Sequence, residues 1–148
     1  DLKYGRTVHS LAYLFCNYKV NLYFISPASL KMRFRITDWL RNKKMKFKET
    51  EKFKEILPLL DILYMTRIQE ERFLEPEEFE KVKDVYILKK KDLDNTKESF
   101  RLMHPLPRVS EISSDIDKSP KAIYFKQIKY GLYLRMALLA LVLKGNNF

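Results

Sequence analysis

The chain has 148 residues, of which 46% are hydrophobic and 14% are aromatic. This length and composition predict one globular domain with a substantial core, and they exclude a disordered chain. The formal net charge of +10 would suit nucleic-acid binding, but most of the basic residues are lysines mixed with glutamates, as on solvated helix surfaces. No nucleic-acid-binding motif accompanies them, so we expect no nucleic-acid partner.

The single cysteine and the first residues bear on the compartment. Cys16 excludes an internal disulfide framework and lies in an apolar helical pattern, so we expect a small core side chain in a reducing environment. The polar, basic N-terminus lacks the apolar segment of a signal peptide. We therefore expect a cytoplasmic protein.

Apolar periodicity predicts alternating helices and strands. In chain order they are helix 6–18, strand 20–25, helix 29–41, a weaker strand 46–49, short helix 53–60, strand 62–65, a helix opening at 75–78, and strands 85–88 and 100–103. This alternation predicts an α/β fold: a parallel β-sheet with helices on both faces, in a three-layer, Rossmann-like arrangement.

The strand 62–65 breaks abruptly into Thr66, Arg67 and Gln69. Ligands of open α/β sheets bind beyond the carboxyl ends of the strands. The fork of donors on a guanidinium suits a carboxylate or a phosphate there. An arginine that caps an ordinary loop would give the same local pattern, so this junction alone does not decide between the two.

Two further segments fit the same crevice. Arg6 and Thr7 fall in the first turn of the predicted helix 6–18, where free N–H groups and the helix dipole favour an anion. Gly5 precedes them and allows a sharp backbone turn. There is no glycine-rich nucleotide loop, so the site should be small.

The second of these segments, His104-Pro105-Leu106-Pro107, cannot be regular structure, because two prolines remove N–H donors and force their neighbours to be extended. Its free carbonyls suit a substrate that bears N–H donors. For His104 itself, a hydrogen-bonded core histidine is favoured over a catalytic group.

The apolar run 131–143 carries only one charge, Arg135. A bilayer core needs about 20 residues, so this run is too short to span it. A helix that is apolar on most sides must be buried against something else.

Three segments carry a resemblance to a known family: 1–10, 64–73 and 104–109. They resemble aspartate carbamoyltransferase in content, order and spacing. The likeness extends over essentially the whole chain, but over only the second, aspartate-binding half of the family's polypeptide. It implies that 1–125 is an aspartate-binding domain without its leading strand, and that 126–148 is a helix that packs on an absent carbamoyl-phosphate domain.

The resemblance also implies a reaction, which is carbamoyl transfer from carbamoyl phosphate to the α-amine of L-aspartate in pyrimidine biosynthesis. Neither metal nor organic cofactor takes part. Arg6, with Thr7, would bind the α-carboxylate of aspartate, and Arg67, with Gln69, the β-carboxylate. Pro105, Leu106 and Pro107 would present backbone groups to the carbamoyl group and the attacking amine.

The remaining implications concern assembly. Lys3 and Glu78 would pair between loops when the domains close. The family's phosphate loop and carbonyl-polarising histidine lie in the other half, and a neighbouring subunit of a homotrimer supplies a serine and a lysine. This chain alone should therefore be inactive. The sequence leaves regulatory chains open, and a non-catalytic assembly module is the alternative function.

The related ornithine carbamoyltransferases typically have His-Cys-Leu-Pro where this chain has residues 104–107. They also lack an arginine aimed at the substrate side chain, and Arg67 would repel a cationic amine. The resemblance to aspartate carbamoyltransferase is therefore preferred over a resemblance to ornithine carbamoyltransferase. Ser110, Glu70 and the segment 127–131 depart from the family pattern without removing a substrate ligand.

Overall fold

A computed structural model describes residues 1–144. Its helices and strands are α1 (Arg6–Phe15), β1 (Asn21–Ile25), α2 (Phe34–Asn42), β2 (Lys46–Thr50), α3 (Phe53–Ile56), β3 (Ile62–Tyr64), α4 (Pro76–Glu80), β4 (Arg101–Met103) and α5 (Tyr124–Lys144). Short 3-10 helices span Ala28–Leu30, Leu57–Leu59, Glu70–Arg72, Lys90–Asn95 and Ser114–Lys118. The element order confirms the predicted alternation of helices and strands. The end of the predicted segment 126–148, residues 145–148, lies outside the described residues.

The strands form two parallel pairs, β1 with β2 and β3 with β4. The parallel pairing confirms the predicted fold class, since parallel strands need a long crossover connection, usually a helix, and α2 and α4 lie between the strands of the two pairs. A cavity of about 860 Å³ lies along both β1 and β3, which face it with all of their residues. Within residues 1–144, the sheet is therefore two pairs with an open space beside β1 and β3 rather than one continuous ladder.

Two clusters of buried side chains support these pairs. The larger surrounds β3, β4 and α3, and Phe100 and Leu102 at its centre have no solvent exposure. The smaller lies between α1, α2 and β1, with Leu40 fully buried. Cys16 packs at its margin and is partly exposed, with a free thiol.

The predicted helix 29–41 was wrong in its first turn. Residues Ala28–Leu30 form a 3-10 helix, and α2 begins only at Phe34. Between them Lys31 and Arg33 are extended, with ψ of 156° and 135°. The reason is burial: Leu30 and Met32 are 1% and 5% exposed, and two residues apart they share a face only in an extended chain.

The predicted strand 85–88 was also wrong. Leu88 forms a single parallel bridge to Ile112, through Leu88 N–H to the Glu111 carbonyl (2.9 Å). The chain then turns into the 3-10 helix Lys90–Asn95, which the Asp92 carboxylate caps at the Lys89 N–H (2.8 Å). Leu88 is fully buried, so the apolar pattern at this position reflects burial in the core and not a strand of a β-sheet.

Helix α5 leaves most of its apolar side chains in solvent. Among its residues Tyr124 is buried, whereas the large apolar side chains from Phe125 to Leu143 are mostly more than half exposed. In the described part of the chain, no helix is long and apolar enough to cross a membrane.

Candidate active site

Two of the three resemblance segments leave the sheet at one edge. In the β3–β4 pair Tyr64 lies opposite Met103, and the Met65 N–H donates to the Met103 carbonyl (3.0 Å). The loop with Thr66 and Arg67 and the loop that begins at His104 therefore emerge side by side from the carboxyl ends of parallel strands. This is the edge at which ligands of open α/β sheets bind.

The first segment is attached to the second by Asp1. The Asp1 backbone nitrogen donates to Thr66 Oγ1 (3.0 Å), and the Asp1 carboxylate accepts from the N–H groups of Tyr4 (2.9 Å) and Gln69 (3.4 Å). Arg6 then opens helix α1, as predicted. The start of α1 is thus held against the loop that follows β3.

Gly5 is required for a different reason from the one the sequence indicated. Its φ of −69° is ordinary backbone that any residue adopts. However, a Cβ at this position would lie 2.5 Å from the Asp1 carbonyl oxygen. The glycine therefore permits a close approach of two backbone segments rather than an unusual turn.

Tyr64 connects all three segments, and the sequence-based reasoning did not identify it. Burial raises the pKa of its phenol, and the side chains of Thr7 at the start of α1 and of Gln127 in α5 oppose that rise, so both lie beside the hydroxyl. Gln127 Oε1 in turn accepts the His104 N–H (3.2 Å). We call these four residues the Tyr64 network. In the sequence Tyr64 was one apolar residue of a predicted strand, and Gln127 lay in a segment that diverges from the family.

Arg67 is oriented by an ion pair within its own loop. Arg67 Nη1 and Nη2 donate to the two carboxylate oxygens of Glu71 at 3.1 and 2.5 Å. The hydrogen bonds from Arg67 are the main reason that the pKa of Glu71 lies below its usual range. A guanidinium has five N–H donors, so about three remain for a second carboxylate. The Arg67 side chain is 28% exposed, which leaves it accessible to a ligand.

Residues 105–107 form an irregular loop, as predicted. Leu106 has φ of 51°, in the left-handed region, and the Leu106–Pro107 peptide is cis. A left-handed conformation costs a non-glycine residue about 1–2 kcal/mol, so the surroundings must hold it. His104 is fully buried, and its Nδ1 accepts the Leu106 N–H (2.9 Å). This confirms the interpretation of His104 as a hydrogen-bonded core histidine.

A second cluster holds the far end of that loop. Arg108 donates through both terminal nitrogens to the Asp117 carboxylate and also to the Tyr124 hydroxyl (2.9 Å). Burial, reinforced by Asp117, raises the pKa of Tyr124 to about 12, and Arg108 lowers the pKa of Asp117. Because Tyr124 is the first residue of α5, this cluster fixes the loop to that helix.

Lys3 and Glu78 are both exposed, and within residues 1–144 they are not paired with each other. Aromatic contacts bring their segments together: Tyr4 lies edge-on to Phe73 (6.2 Å), and Phe73 to Phe79 (5.6 Å). The predicted pairing on domain closure stays a prediction. Across residues 1–144, no group of three or more histidine, cysteine, aspartate or glutamate side chains could hold a metal ion.

The parallel pairs, with loops converging at their carboxyl ends, define a Rossmann-like α/β ligand-binding domain. A sequence model of the family "Aspartate/ornithine carbamoyltransferase, Asp/Orn binding domain" matches residues 1–142. The chain is 52% identical over 143 residues to the aspartate carbamoyltransferase catalytic subunit of Thermococcus gammatolerans, covering 97% of this chain and 46% of that protein.

Solved structures show the same likeness. The catalytic subunit of aspartate transcarbamoylase from M. jannaschii superposes with a TM-score of 0.87 at 46% identity, covering 99% of this chain and 47% of that one. The Trypanosoma cruzi enzyme in complex with carbamoyl phosphate and aspartate gives a TM-score of 0.83 at 32% identity, covering 94% and 47%. The chain belongs to the aspartate/ornithine carbamoyltransferase family, of which it represents the Asp/Orn-binding domain. It spans about half the length of the curated relatives that it matches.

Proposed function

We propose that this chain is the aspartate-binding half of an aspartate carbamoyltransferase. The intact protein would transfer the carbamoyl group of carbamoyl phosphate to the α-amine of L-aspartate, giving N-carbamoyl-L-aspartate and phosphate for pyrimidine synthesis. The convergence of three segments at one edge of the sheet supports this most strongly: Asp1 bonds Thr66 and Gln69, and Tyr64 pairs with Met103 in the parallel ladder. The named substrates of the similar T. cruzi structure, carbamoyl phosphate and aspartate, agree with it.

The binding roles follow from charge. A four-carbon diacid needs two separated cations, and a charge-assisted bidentate pair is stronger than a neutral hydrogen bond. Arg6, exposed in the first turn of α1, would bind the α-carboxylate together with Thr7 and the free N–H groups of that turn. Arg67, with Gln69, would bind the β-carboxylate through the donors that Glu71 leaves free.

The loop 105–107 would act on the other substrate. Pro105 and Pro107 have no N–H, so the loop offers mainly carbonyl oxygens, which accept hydrogen bonds from the carbamoyl amino group and the attacking amine. Holding the two reactants in line supplies much of the rate. The groups that stabilise the oxyanion and the departing phosphate would come from the carbamoyl-phosphate domain and from a neighbouring subunit of a homotrimer.

Two apolar surfaces support the proposed division at residue 125. The exposed face of α5 carries large apolar side chains such as Leu132, Leu139 and Val142. A contiguous exposed apolar surface of this kind marks a docking site. We assign it to the carbamoyl-phosphate domain. The cavity beside β1 and β3 suits one further parallel strand, which would lead into Asp1 and join the two pairs into one sheet.

The single unpaired cysteine fits the cytoplasmic location expected of this metabolic role. The proposal makes no statement on whether regulatory chains bind the intact protein. The alternative, a non-catalytic assembly module, does not account for Arg67 in the loop after β3 together with Arg6 at the start of the helix that Asp1 holds against that loop.

The test measures carbamoylaspartate formation by the intact protein, with aspartate and then ornithine as acceptor. Arg67→Ala should raise the aspartate KM or lower kcat/KM by at least about 100-fold, since a charge-assisted bidentate contact is lost. Arg35→Ala, an exposed arginine in α2, is the matched control and should behave as the unmodified protein. Equal activity of Arg67→Ala and the control would refute the assignment.

A further inference from the structure

The most deeply buried polar contact in the described chain joins His104 and Glu111. Their side chains are 0% and 8% exposed, and Nε2 of the imidazole lies 2.7 Å from Oε1 of the carboxylate. The contact has the length of a charge-assisted hydrogen bond but lies outside the angular range of a linear one, and neither atom has another partner among residues 1–144. A buried pair of this kind needs an explanation, because burial without good hydrogen bonds is costly.

The hydrogen bonds around the ring assign its tautomer. Nδ1 accepts the Leu106 N–H at 2.9 Å, so Nδ1 must keep its lone pair and carry no proton. The proton of a neutral imidazole is then on Nε2 and faces the carboxylate of Glu111. Although burial raises the pKa of Glu111, the His104 contact and backbone N–H groups outweigh it and hold that pKa below its usual value. The pair is therefore a neutral imidazole beside a carboxylate anion.

The pair reaches the backbone on both sides of the proline loop. Glu111 Oε2 accepts the Val109 N–H at 3.1 Å, while His104 Nδ1 holds Leu106. Since Pro105 and Pro107 have no N–H, residues 105–109 contain three backbone donors, and this pair binds two of them. One of the two belongs to Leu106, whose left-handed φ of 51° persists only if its surroundings enforce it.

We propose that His104 and Glu111 are positioning residues, which together set the backbone of residues 105–107 so that its carbonyls face the reacting groups. The inference rests on the proposed function. Neither side chain reaches substrate. The carboxylate selects the Nε2–H tautomer, that tautomer frees Nδ1 to accept the Leu106 N–H, and the Leu106 contact holds the strained loop in one conformation. The carboxylate thus acts on the loop through the histidine.

Glu111→Gln in the intact protein tests this chain of contacts. An amide keeps only one oxygen, so an NH2 group must replace either the oxygen that accepts the Val109 N–H or the oxygen that lies beside Nε2 of His104. We expect kcat to fall about 10- to 100-fold with little change in the aspartate KM, because a displaced loop misaligns the carbamoyl group. A crystal structure of the variant should show Leu106 N moved away from Nδ1.

Asp92→Asn is the matched control. Asp92 is also a buried carboxylate, 8% exposed, with a lysine partner, Lys54, and a backbone N–H. Its replacement should lower the unfolding temperature and leave kcat and KM of the folded protein unchanged. If folded Glu111→Gln has the kcat of the unmodified protein, or loses kcat with the loop unmoved, the proposal is overturned.

Two histidine variants keep the test open if Glu111→Gln does not fold. The Asn side chain can place its oxygen where Nδ1 stands, whereas Gln reaches the Nε2 position but has no acceptor for Leu106. His104→Asn should therefore retain a higher kcat than His104→Gln, and the reverse order would overturn the proposal. If the unmodified intact protein forms no carbamoylaspartate, the proposed function fails. The loop position in the Glu111→Gln crystal structure still decides whether the pair sets the loop.

Discussion

Tyr64→Phe should weaken both the fold and the proposed site, because it removes one oxygen atom from the centre of the Tyr64 network. The side chains of Thr7 and Gln127 lie beside the hydroxyl, and both lower its pKa against the effect of burial. A typical hydrogen bond contributes about 0.5–1.5 kcal/mol net. Thr7 is exposed and can bond water instead. Removal of a half-buried hydroxyl that two polar side chains face should therefore cost about 1–2 kcal/mol.

The effect on activity should be larger than that stability loss implies. Thr7 follows Arg6 directly, and Gln127 holds the His104 backbone, so the substitution loosens the first and third segments relative to β3. Positioning errors of about 1 Å can cost 10²-fold in rate. We expect the aspartate KM of the intact protein to rise about 10-fold, measured at a temperature at which the variant is fully folded.

Tyr86→Phe is the matched control for this substitution. Its hydroxyl makes one hydrogen bond, to the Glu51 carbonyl (3.0 Å), in an exposed setting. Urea unfolding should show a loss of no more than about 1 kcal/mol, and the aspartate KM should not change. If Tyr64→Phe matches this control in both measurements, the network does not join the segments and the reasoning is refuted.

Three further outcomes are expected of the intact protein. Gly5→Ala should lower the thermal unfolding midpoint, because the new Cβ would lie 2.5 Å from the Asp1 carbonyl oxygen. The expected loss corresponds to about 1–3 kcal/mol, as for an overpacked contact. An unchanged midpoint would show that the two backbone segments can move apart. Leu102→Ala, at a fully buried position, should cost about 2–5 kcal/mol in urea unfolding, and a loss below about 1 kcal/mol would contradict the packing described. Arg108 lowers the folded pKa of Asp117 below 3.8, so its stabilisation is present above that value and is lost as the pH falls through the lower folded pKa. Urea midpoints measured from pH 5 to pH 2.5 should therefore fall less steeply for Asp117→Asn, and identical slopes would contradict the role of the ion pair.

Element types were predictable wherever local pattern and burial agreed. Strand β1, with its run of apolar residues, and helix α1, with Val8 and Ala12 on its buried face, were both predicted to within a few residues. The predicted helix start near Leu30 and the predicted strand at Leu88 were wrong because long-range packing buries both residues. Leu30 precedes an extended segment, and Leu88 forms a single parallel bridge. Periodicity cannot separate such positions from a helix or a strand.

The residues of the candidate site also separate into those that carry a local sequence signal and those that do not. Charged and proline residues at strand ends carry a local signal, so Arg6, Arg67 and residues 105–107 could be singled out from the sequence. Tyr64, Gln127 and Glu111 could not, since nothing local distinguishes a tyrosine that ends a strand or a glutamate that follows a loop. Their roles depend on partners that are distant along the chain.

The sequence by itself determined the alternation of strands and helices, the polar breaks at the strand ends and the family, because these depend on short-range pattern and on residue identity. Only the tertiary structure decided what those breaks contact: the Asp1 carboxylate at Gln69, the phenol between Thr7 and Gln127, and the imidazole at Leu106. Hydrogen bonds form within about 3 Å, and whether residues far apart in sequence come that close is settled by packing of the whole core.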